Sequence, residues 1–171
     1  MLVRVRPERP DDYDAIDEIV LAAFGRQFEV EFVRQIRASD HYIAHLALVA
    51  EVEGAIVGQA MFSWILLDGP EQVPVLTLAP VSVHPDSQGK GVGSALVRAG
   101  MARADSTGAP LVIVLGHPEW YPRFGCEPAR PHGIEPPWPE LPDPVFMVKR
   151  LSGYDERCRG EVVYPPAFGG V

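Results

Sequence analysis

Residues 84–96, HPDSQGKGVGSAL, combine three glycines with a lysine between an apolar extended run and a predicted helix. The first N–H groups of an α-helix have no intrahelical partner, and the helix dipole favours an anion at that end. Because Gly89, Gly91 and Gly93 lack a Cβ atom, a large group can come close to those donors. The segment therefore predicts a binding site for a phosphate-bearing ligand.

Spacing separates the phosphate-binding patterns that this segment resembles. A P-loop needs G-x-x-x-x-G-K-[ST], but Gly91 follows Lys90 and no glycine stands five residues before Gly89. The dinucleotide pattern G-x-G-x-x-G fails at its third glycine in both possible registers, and the repeated βαβ organisation that it requires is missing. The pattern that remains is Q-x-x-G-x-G, which Gln88, Gly91 and Gly93 satisfy.

Hydrophobic periodicity indicates the elements that must position this segment. Apolar residues recur at helical spacing in three places and alternate or run together in the strands. A turn is expected at Glu53-Gly54, between the first two strands after the helices. The predicted elements are a strand at 2–6, helices at 9–25 and 28–38, strands within 44–69 and at 74–85, a helix at 91–105, and strands at 111–115 and 145–151. The proline-rich stretch 128–144 predicts a long loop.

The stretch APVSVHPDSQGKGVGSALVRAGM and this order of elements resemble the GCN5-related N-acetyltransferase (GNAT) family over about residues 2–151. The resemblance implies an α/β fold of the α+β type, with a mixed central sheet of about six to seven strands flanked by helices. The implied order is β-α-α-β-β-β-α-β-α-β. We expect a GNAT domain at 1–151 and a C-terminal extension at 152–171, packed on that domain or on a second subunit.

The family holds the pyrophosphate of coenzyme A on the loop and helix N-terminus that follow its fourth strand, and pairs the pantetheine arm with that strand as an added strand. The alternative is that the glycines only make a tight turn and that residues 81–83 are ordinary ladder residues. The resemblance implies acetyl-CoA as the acyl-donor substrate and no metal. The implied coenzyme-binding residues are Val81, Ser82, Val83, Gln88, Gly89, Lys90, Gly91, Val92, Gly93 and Ser94.

A second motif, GHPEWYPRFGC at 116–126, is similar to the family's Y-x-x-x-G-F element, with Tyr121, Gly125 and Cys126 in the matching places. The tyrosine there commonly protonates the departing thiolate of coenzyme A, a role that suits a phenol within hydrogen-bond reach. The alternative for Tyr121 is a packed aromatic side chain. Cys126 stands where the family usually has Phe. His117 and His84 are interpreted as structural residues of turns.

The resemblance implies an N-acetyltransferase that moves an acetyl group from acetyl-CoA to a primary amine by direct attack. Two alternatives stay open: a non-catalytic acyl-CoA-binding or interaction module that presents its proline-rich stretch, and a transferase of a longer acyl group. The amine acceptor is a small molecule or a peptide. Candidates for lining its site are Glu29, Glu31, Trp64 and the loop 128–144 with Trp138.

Composition limits the remaining possibilities. The chain has 171 residues, of which 47% are hydrophobic and 22% charged, as in a globular domain. A formal net charge of -8 argues against nucleic acid and anionic membrane as partners. The charged N-terminal stretch and the lack of a long apolar run predict a soluble cytoplasmic protein. Cys126 and Cys158 are expected to be free thiols, and the apolar tail is compatible with a homodimer.

Overall fold

The computed structural model describes residues 1–168, so the last three residues of the predicted segment 152–171 lie outside the described part. The chain divides into two compact units. The first unit contains residues 1–63 and 79–103, and the second contains residues 64–78 and the described residues from 104 onward. Strands β3 (Ala55–Asp68) and β4 (Gln72–Val83) each contribute residues to both units.

The first unit carries the predicted glycine-rich segment. Strand β2 pairs antiparallel with β1 and with β3, and a two-residue turn joins β2 to β3. Both turn residues have positive φ, 51° at Glu53 and 80° at Gly54, as the predicted hairpin turn requires. Besides β3 and β4, the elements of this unit are β1 (Arg4–Pro7), α1 (Tyr13–Phe24), α2 (Gln27–Arg37), β2 (Tyr42–Val52) and α3 (Val92–Ala104).

The apolar faces of the first two helices form much of the core of that unit. Ile16 and Val20 of α1 and Val33 and Ile36 of α2 are fully buried, at the spacing that predicted an amphipathic helix. Gly25 ends α1 in the left-handed conformation, with φ 73°. Both helices therefore stand close to where their sequence pattern placed them.

The second unit is built around β5 (Leu111–Leu115), which is buried along most of its length. This strand pairs parallel with β4 at Leu76 and Thr77 and antiparallel with β8 (Phe146–Arg150). Two short strands, β6 (Glu127–Pro128) and β7 (Ile134–Glu135), come from the proline-rich region. Strand β9 (Gly160–Val163), within the predicted extension, pairs with β3 and with β7 of its own chain.

The predicted fold class is confirmed, because the described strands form one mixed, mostly antiparallel sheet with helices packed on it. The strand order is β1-β2-β3-β4-β5-β8-β6, with β7 and β9 off this path. Two details of the expected element order are wrong. The described residues form nine strands instead of the expected six to seven, and the helix expected after β5 is only a 3-10 turn at Tyr121–Phe124. Pro122 and the left-handed Gly125, at φ 88°, bracket that turn and stop it from extending.

Within residues 1–168, no helix combines the length and the apolar character that crossing a membrane requires.

Candidate active site

The predicted glycine loop (residues 88–94) joins β4 to α3 in the first unit. Gly89 and Gly91 have φ values of 74° and 86°, a conformation that other residues adopt only at a cost. A Cβ atom added at either glycine would meet no other atom within 4 Å, so the backbone is open on that side. No acidic residue stands in the first turn of α3. The geometry suits an anion bound by backbone N–H groups.

The polar side chains of the loop donate hydrogen bonds to nearby backbone carbonyls. The Gln88 amide Nε2 donates to the Val83 carbonyl at 3.0 Å, and Lys90 Nζ donates to the Asp86 carbonyl at 3.1 Å. His84 Nδ1 accepts the backbone N–H of Asp86 at 3.1 Å, which is the structural role expected for this histidine. The loop therefore leaves its backbone donors as the groups available to a ligand.

The end of β4 has one edge that is not in a ladder. The backbone N–H of His84 donates to the Val57 carbonyl of β3, at 2.8 Å. Because successive residues of a strand direct their backbone groups to opposite sides, Val81 and Val83 direct theirs away from β3. In the described chain, the pairing of β4 with β5 covers only Leu76 and Thr77. We call the backbone groups of Val81 and Val83 the open edge.

Two predicted coenzyme residues use their side chains elsewhere. The hydroxyl of Ser82, a residue only 2% exposed, accepts a hydrogen bond from Gln59 Nε2 at 2.8 Å. The Val92 side chain is 1% exposed and contributes to the core. The side chains of both residues are therefore engaged within the protein. Strand alternation also directs the backbone groups of Ser82 toward β3, so only Val92 keeps its backbone available to a ligand.

Sequence reasoning missed Gly58 and Gln59 of β3, which lie against the candidate site. A Cβ atom at Gly58 would stand 3.0 Å from Val92 Cγ1 and 3.2 Å from the Ser82 carbonyl oxygen. The glycine thus allows the first turn of α3 to pack closely on β3. The signal in the sequence is a Gly-Gln pair inside an otherwise apolar strand, AIVGQAMF.

Tyr121 belongs to the second unit and lies in the 3-10 turn after β5. The residue is 7% exposed, and its ring packs edge-on against Trp120 with the ring centroids 4.9 Å apart. A Cβ atom at Gly116 would come within 2.9 Å of Tyr121 Cε2, so this position must be small. The backbone N–H groups of Trp120 and Tyr121 both donate to the His117 carbonyl, which gives His117 its part in the turn.

The Tyr121 hydroxyl is suited to donating a proton. Burial, together with the nearby Cys126, raises the pKa of Tyr121 to about 12, so the phenol stays protonated at neutral pH. Among the side chains of residues 1–168, Ser63 Oγ alone is fully buried without a hydrogen-bond partner.

The residues predicted to line an acceptor site are engaged in other contacts. In the first unit, Glu29 is 8% exposed and pairs with Arg26, and Glu31 pairs with Arg34 at 3.0 Å. In the second unit, Trp138 stacks on Tyr164 with the ring centroids 5.7 Å apart. Trp64 lines a cavity of about 380 Å³, together with the start of β4, residues 107–110, and Gly153, Asp155, Arg157 and Cys158. These contacts do not bring the four residues into one pocket within either unit.

Residues 1–168 contain no group of three or more His, Cys, Asp or Glu side chains placed to hold a metal ion. Both cysteines are buried free thiols, as predicted, and burial raises the pKa of Cys126 to about 11.

Comparison with known proteins identifies the family. Residues 4–129 match the model of the acetyltransferase (GNAT) domain. An uncharacterized N-acetyltransferase of Escherichia coli, YjhQ, is 37% identical over 158 residues, which cover 89% of this chain and 87% of YjhQ. The chain belongs to the GNAT family of acetyltransferases, as its sequence motifs indicated.

Solved structures agree with that assignment over nearly the whole chain. The crystal structure of E. coli YhbS in complex with CoA superimposes with a TM-score of 0.86 at 30% identity, covering 97% of this chain and 91% of YhbS. A GNAT acetyltransferase from Brucella melitensis in complex with acetyl-CoA gives a TM-score of 0.78 at 31% identity, covering 98% of both chains.

Proposed function

We propose that this protein transfers an acetyl group from acetyl-CoA to a primary amine by direct attack of the amine on the thioester. The observation that carries the proposal is the glycine loop, whose backbone is open at Gly89 and Gly91 and which directly follows the open edge of β4. The complexes of the YhbS and Brucella proteins with CoA and acetyl-CoA support the choice of donor.

The glycine loop binds the pyrophosphate in this proposal. The N–H groups from Gly89 to Ser94 donate to the phosphate oxygens, and such charge-assisted bonds are stronger than neutral ones. Lys90 contributes its charge, although its ammonium group also donates to Asp86. The side chains of Gln88 and Val92 hold the loop and helix in place, so the ligand meets donors that are already oriented.

The open edge of β4 binds the pantetheine arm. Its amides and carbonyls can pair with the N–H and C=O groups of Val81 and with the N–H of Val83, in the manner of an added strand. The Val83 carbonyl is already bonded to Gln88, so the arm relies on the other three groups. This arrangement brings the thioester alongside backbone N–H donors.

The chemistry needs an electrophile, a polarising donor and an acid. The neutral amine forms a bond to the thioester carbon while negative charge develops on the carbonyl oxygen, and a backbone N–H of the 81–83 segment stabilises that charge. The carbon–sulfur bond then breaks, and Tyr121 gives its proton to the departing sulfur. The attacking nitrogen, which carries a positive charge in the tetrahedral intermediate, loses one proton to solvent to leave the neutral amide, and Tyr121 regains one proton from solvent. The raised pKa of Tyr121 keeps the proton available before this step.

Contacts within the proline-rich stretch favour an enzyme over an interaction module that presents this stretch as a flexible ligand. Arg130 pairs with Asp143 and Glu135 and donates to the Pro139 carbonyl at 3.1 Å. Trp138 is stacked on Tyr164. A polyproline ligand for a partner's groove would be solvated and extended, whereas this stretch is tied to its own unit.

The proposal is tested by following thiol release from acetyl-CoA in the presence of a panel of amines: a peptide N-terminus, lysine, a polyamine and an aminoglycoside. We expect amine-dependent thiol release with at least one acceptor, and an acetylated amine detectable by mass spectrometry. A series of acetyl-, propionyl- and butyryl-CoA identifies the preferred acyl group. CoA binding without amine-dependent thiol release across the panel would favour the non-catalytic alternative.

A further inference from the structure

A buried side-chain amide on β3 donates hydrogen bonds to the segment of β4 that precedes the glycine loop. Gln59 is 2% exposed, and its Nε2 donates to Ser82 Oγ at 2.8 Å and to the Pro80 carbonyl at 3.4 Å. The two acceptors flank Val81 on either side in the sequence. A buried amide is costly unless it is hydrogen-bonded, so these two bonds are what make Gln59 tolerable in the core.

Gln59 acts on the side of β4 that faces β3. The bond from His84 N–H to Val57 fixes that direction, and the alternation of the strand then turns the backbone groups of Pro80 and Ser82 toward β3. Val81 and Val83 present their backbone groups on the opposite side, as the open edge. The Pro80 carbonyl that Gln59 contacts therefore lies on the side of β4 opposite the edge that the proposed function assigns to the pantetheine arm.

The neighbouring residues of β3 hold the same region. Val57 accepts the hydrogen bond from His84 at the end of β4, and Gly58 packs below the first turn of α3 at Val92. The segment 57–59 is thus a common support for the open edge and for the helix N-terminus. Gln59 is the only one of its three residues that acts through a polar side chain.

The end of β4 needs such a support because it lies beyond the ladder with β5. A strand that is paired along one edge only is free to twist about that edge, and small shifts of a binding edge are costly to catalysis. Two hydrogen bonds from one buried side chain, to Pro80 and Ser82 on either side of Val81, oppose that twist. An apolar side chain of similar length would fill the same volume without opposing it.

We infer that Gln59 is a positioning residue, which acts through Ser82 and Pro80 to keep the backbone donors of Val81 and Val83 aligned with the thioester arm of the acyl donor. This inference rests on the proposed function. It adds a determinant of the acyl-donor site that lies on β3, outside the motifs of the loop and of the tyrosine turn.

The test compares Gln59→Met, which keeps the length but removes the donor, with Ser82→Ala, the double variant and the matched control Ser63→Ala. Ser63 is a fully buried serine on the same strand whose hydroxyl has no partner among the described residues. The measurements are kcat and KM for acetyl-CoA, CoA affinity by calorimetry, and the urea midpoint of unfolding.

We expect Gln59→Met to lower kcat/KM for acetyl-CoA by about tenfold or more, and Ser63→Ala to leave it unchanged. Ser82→Ala, which still leaves the amide its Pro80 acceptor, should cause a smaller loss. The double variant should be less impaired than the two single losses combined, because both remove the same bond. Ser82→Ala also keeps the inference testable if Gln59→Met does not fold.

Two results would overturn the inference in distinguishable ways. If Gln59→Met unfolds at lower urea but retains the wild-type kcat, KM and CoA affinity, then Gln59 is structural and the proposed function stands. If the wild-type protein itself neither binds CoA nor releases thiol from acetyl-CoA, then the proposed function fails and the positioning role fails with it.

Discussion

Comparing Gly91→Ala with Gly54→Ala separates the loss of ligand affinity at the glycine loop from the loss of stability caused by backbone strain. Gly91 has φ 86°, and Gly54, in the hairpin between β2 and β3, has φ 80°. A Cβ atom at either glycine would meet no atom within 4 Å, so neither substitution creates a clash. Both variants should therefore lose about 1 kcal/mol of unfolding free energy, from the left-handed conformation alone.

Coenzyme affinity should distinguish the two variants. In the proposed site the phosphate oxygens lie within about 2.9 Å of the loop N–H groups. We assign to them the empty space that a Cβ at Gly91 would occupy. Losing one hydrogen bond to a charged group costs about 2 kcal/mol, which corresponds to about a 30-fold weaker Kd. We expect that loss in Gly91→Ala and an unchanged Kd in Gly54→Ala, measured by calorimetry with CoA.

Urea unfolding of both variants supplies the control for this comparison. Equal losses of stability with unequal CoA affinities would locate the ligand at the glycine loop. Equal CoA affinities in Gly91→Ala and Gly54→Ala would refute the reasoning, because the open space above Gly91 would then have no ligand in it.

Four further outcomes follow from the structure. Tyr121→Phe should lower kcat by about 100-fold with little change in CoA affinity. Burial raises the pKa of Tyr121 to about 12, so ionisation of this phenol should not lower the wild-type rate near pH 10. Gly58→Ala places a Cβ 3.0 Å from Val92 Cγ1, so urea unfolding should show a loss of about 1–3 kcal/mol and calorimetry a weaker CoA affinity. The hydrogen bond from Arg6 lowers the pKa of Asp12 in the folded protein. The ionised Asp12 carboxylate therefore stabilises the fold above about pH 4, and this stabilisation is lost as the pH falls through the folded pKa. The difference in unfolding free energy between wild type and Asp12→Asn should disappear at that low pH. Limited proteolysis should leave residues 128–144 uncut while the domain is folded, and rapid cleavage there would favour the interaction module.

Local patterns in the sequence were enough to predict the elements around the glycine loop. Helix α3 starts at Val92, within one residue of its prediction, and β5 has the predicted bounds Leu111–Leu115. These elements are specified by apolar spacing and by the glycines and prolines at their ends. The turn at Glu53-Gly54 is local in the same sense.

What could not be predicted depends on partners far apart in the sequence. Gln59 meets Ser82 across 23 residues, and nothing near Gln59 indicates that its amide will be satisfied. Strand β9 pairs with β3 about a hundred residues earlier, and β6 and β7 have two residues each, too few for alternation to reveal. The family resemblance implies a helix after β5, whereas Pro122 and the left-handed Gly125 limit this segment to the 3-10 turn that carries Tyr121.

The most direct test of the central claim is thermal unfolding of the wild-type protein with acetyl-CoA, CoA, NADH and ATP, each in separate titrations. A ligand present at about a hundred times its Kd stabilises the folded protein by about 2.7 kcal/mol. We predict a concentration-dependent rise in Tm with acetyl-CoA and CoA that exceeds any rise with NADH or ATP. No rise with either thioester or free CoA would contradict the assignment of the glycine loop and the open edge as a coenzyme site.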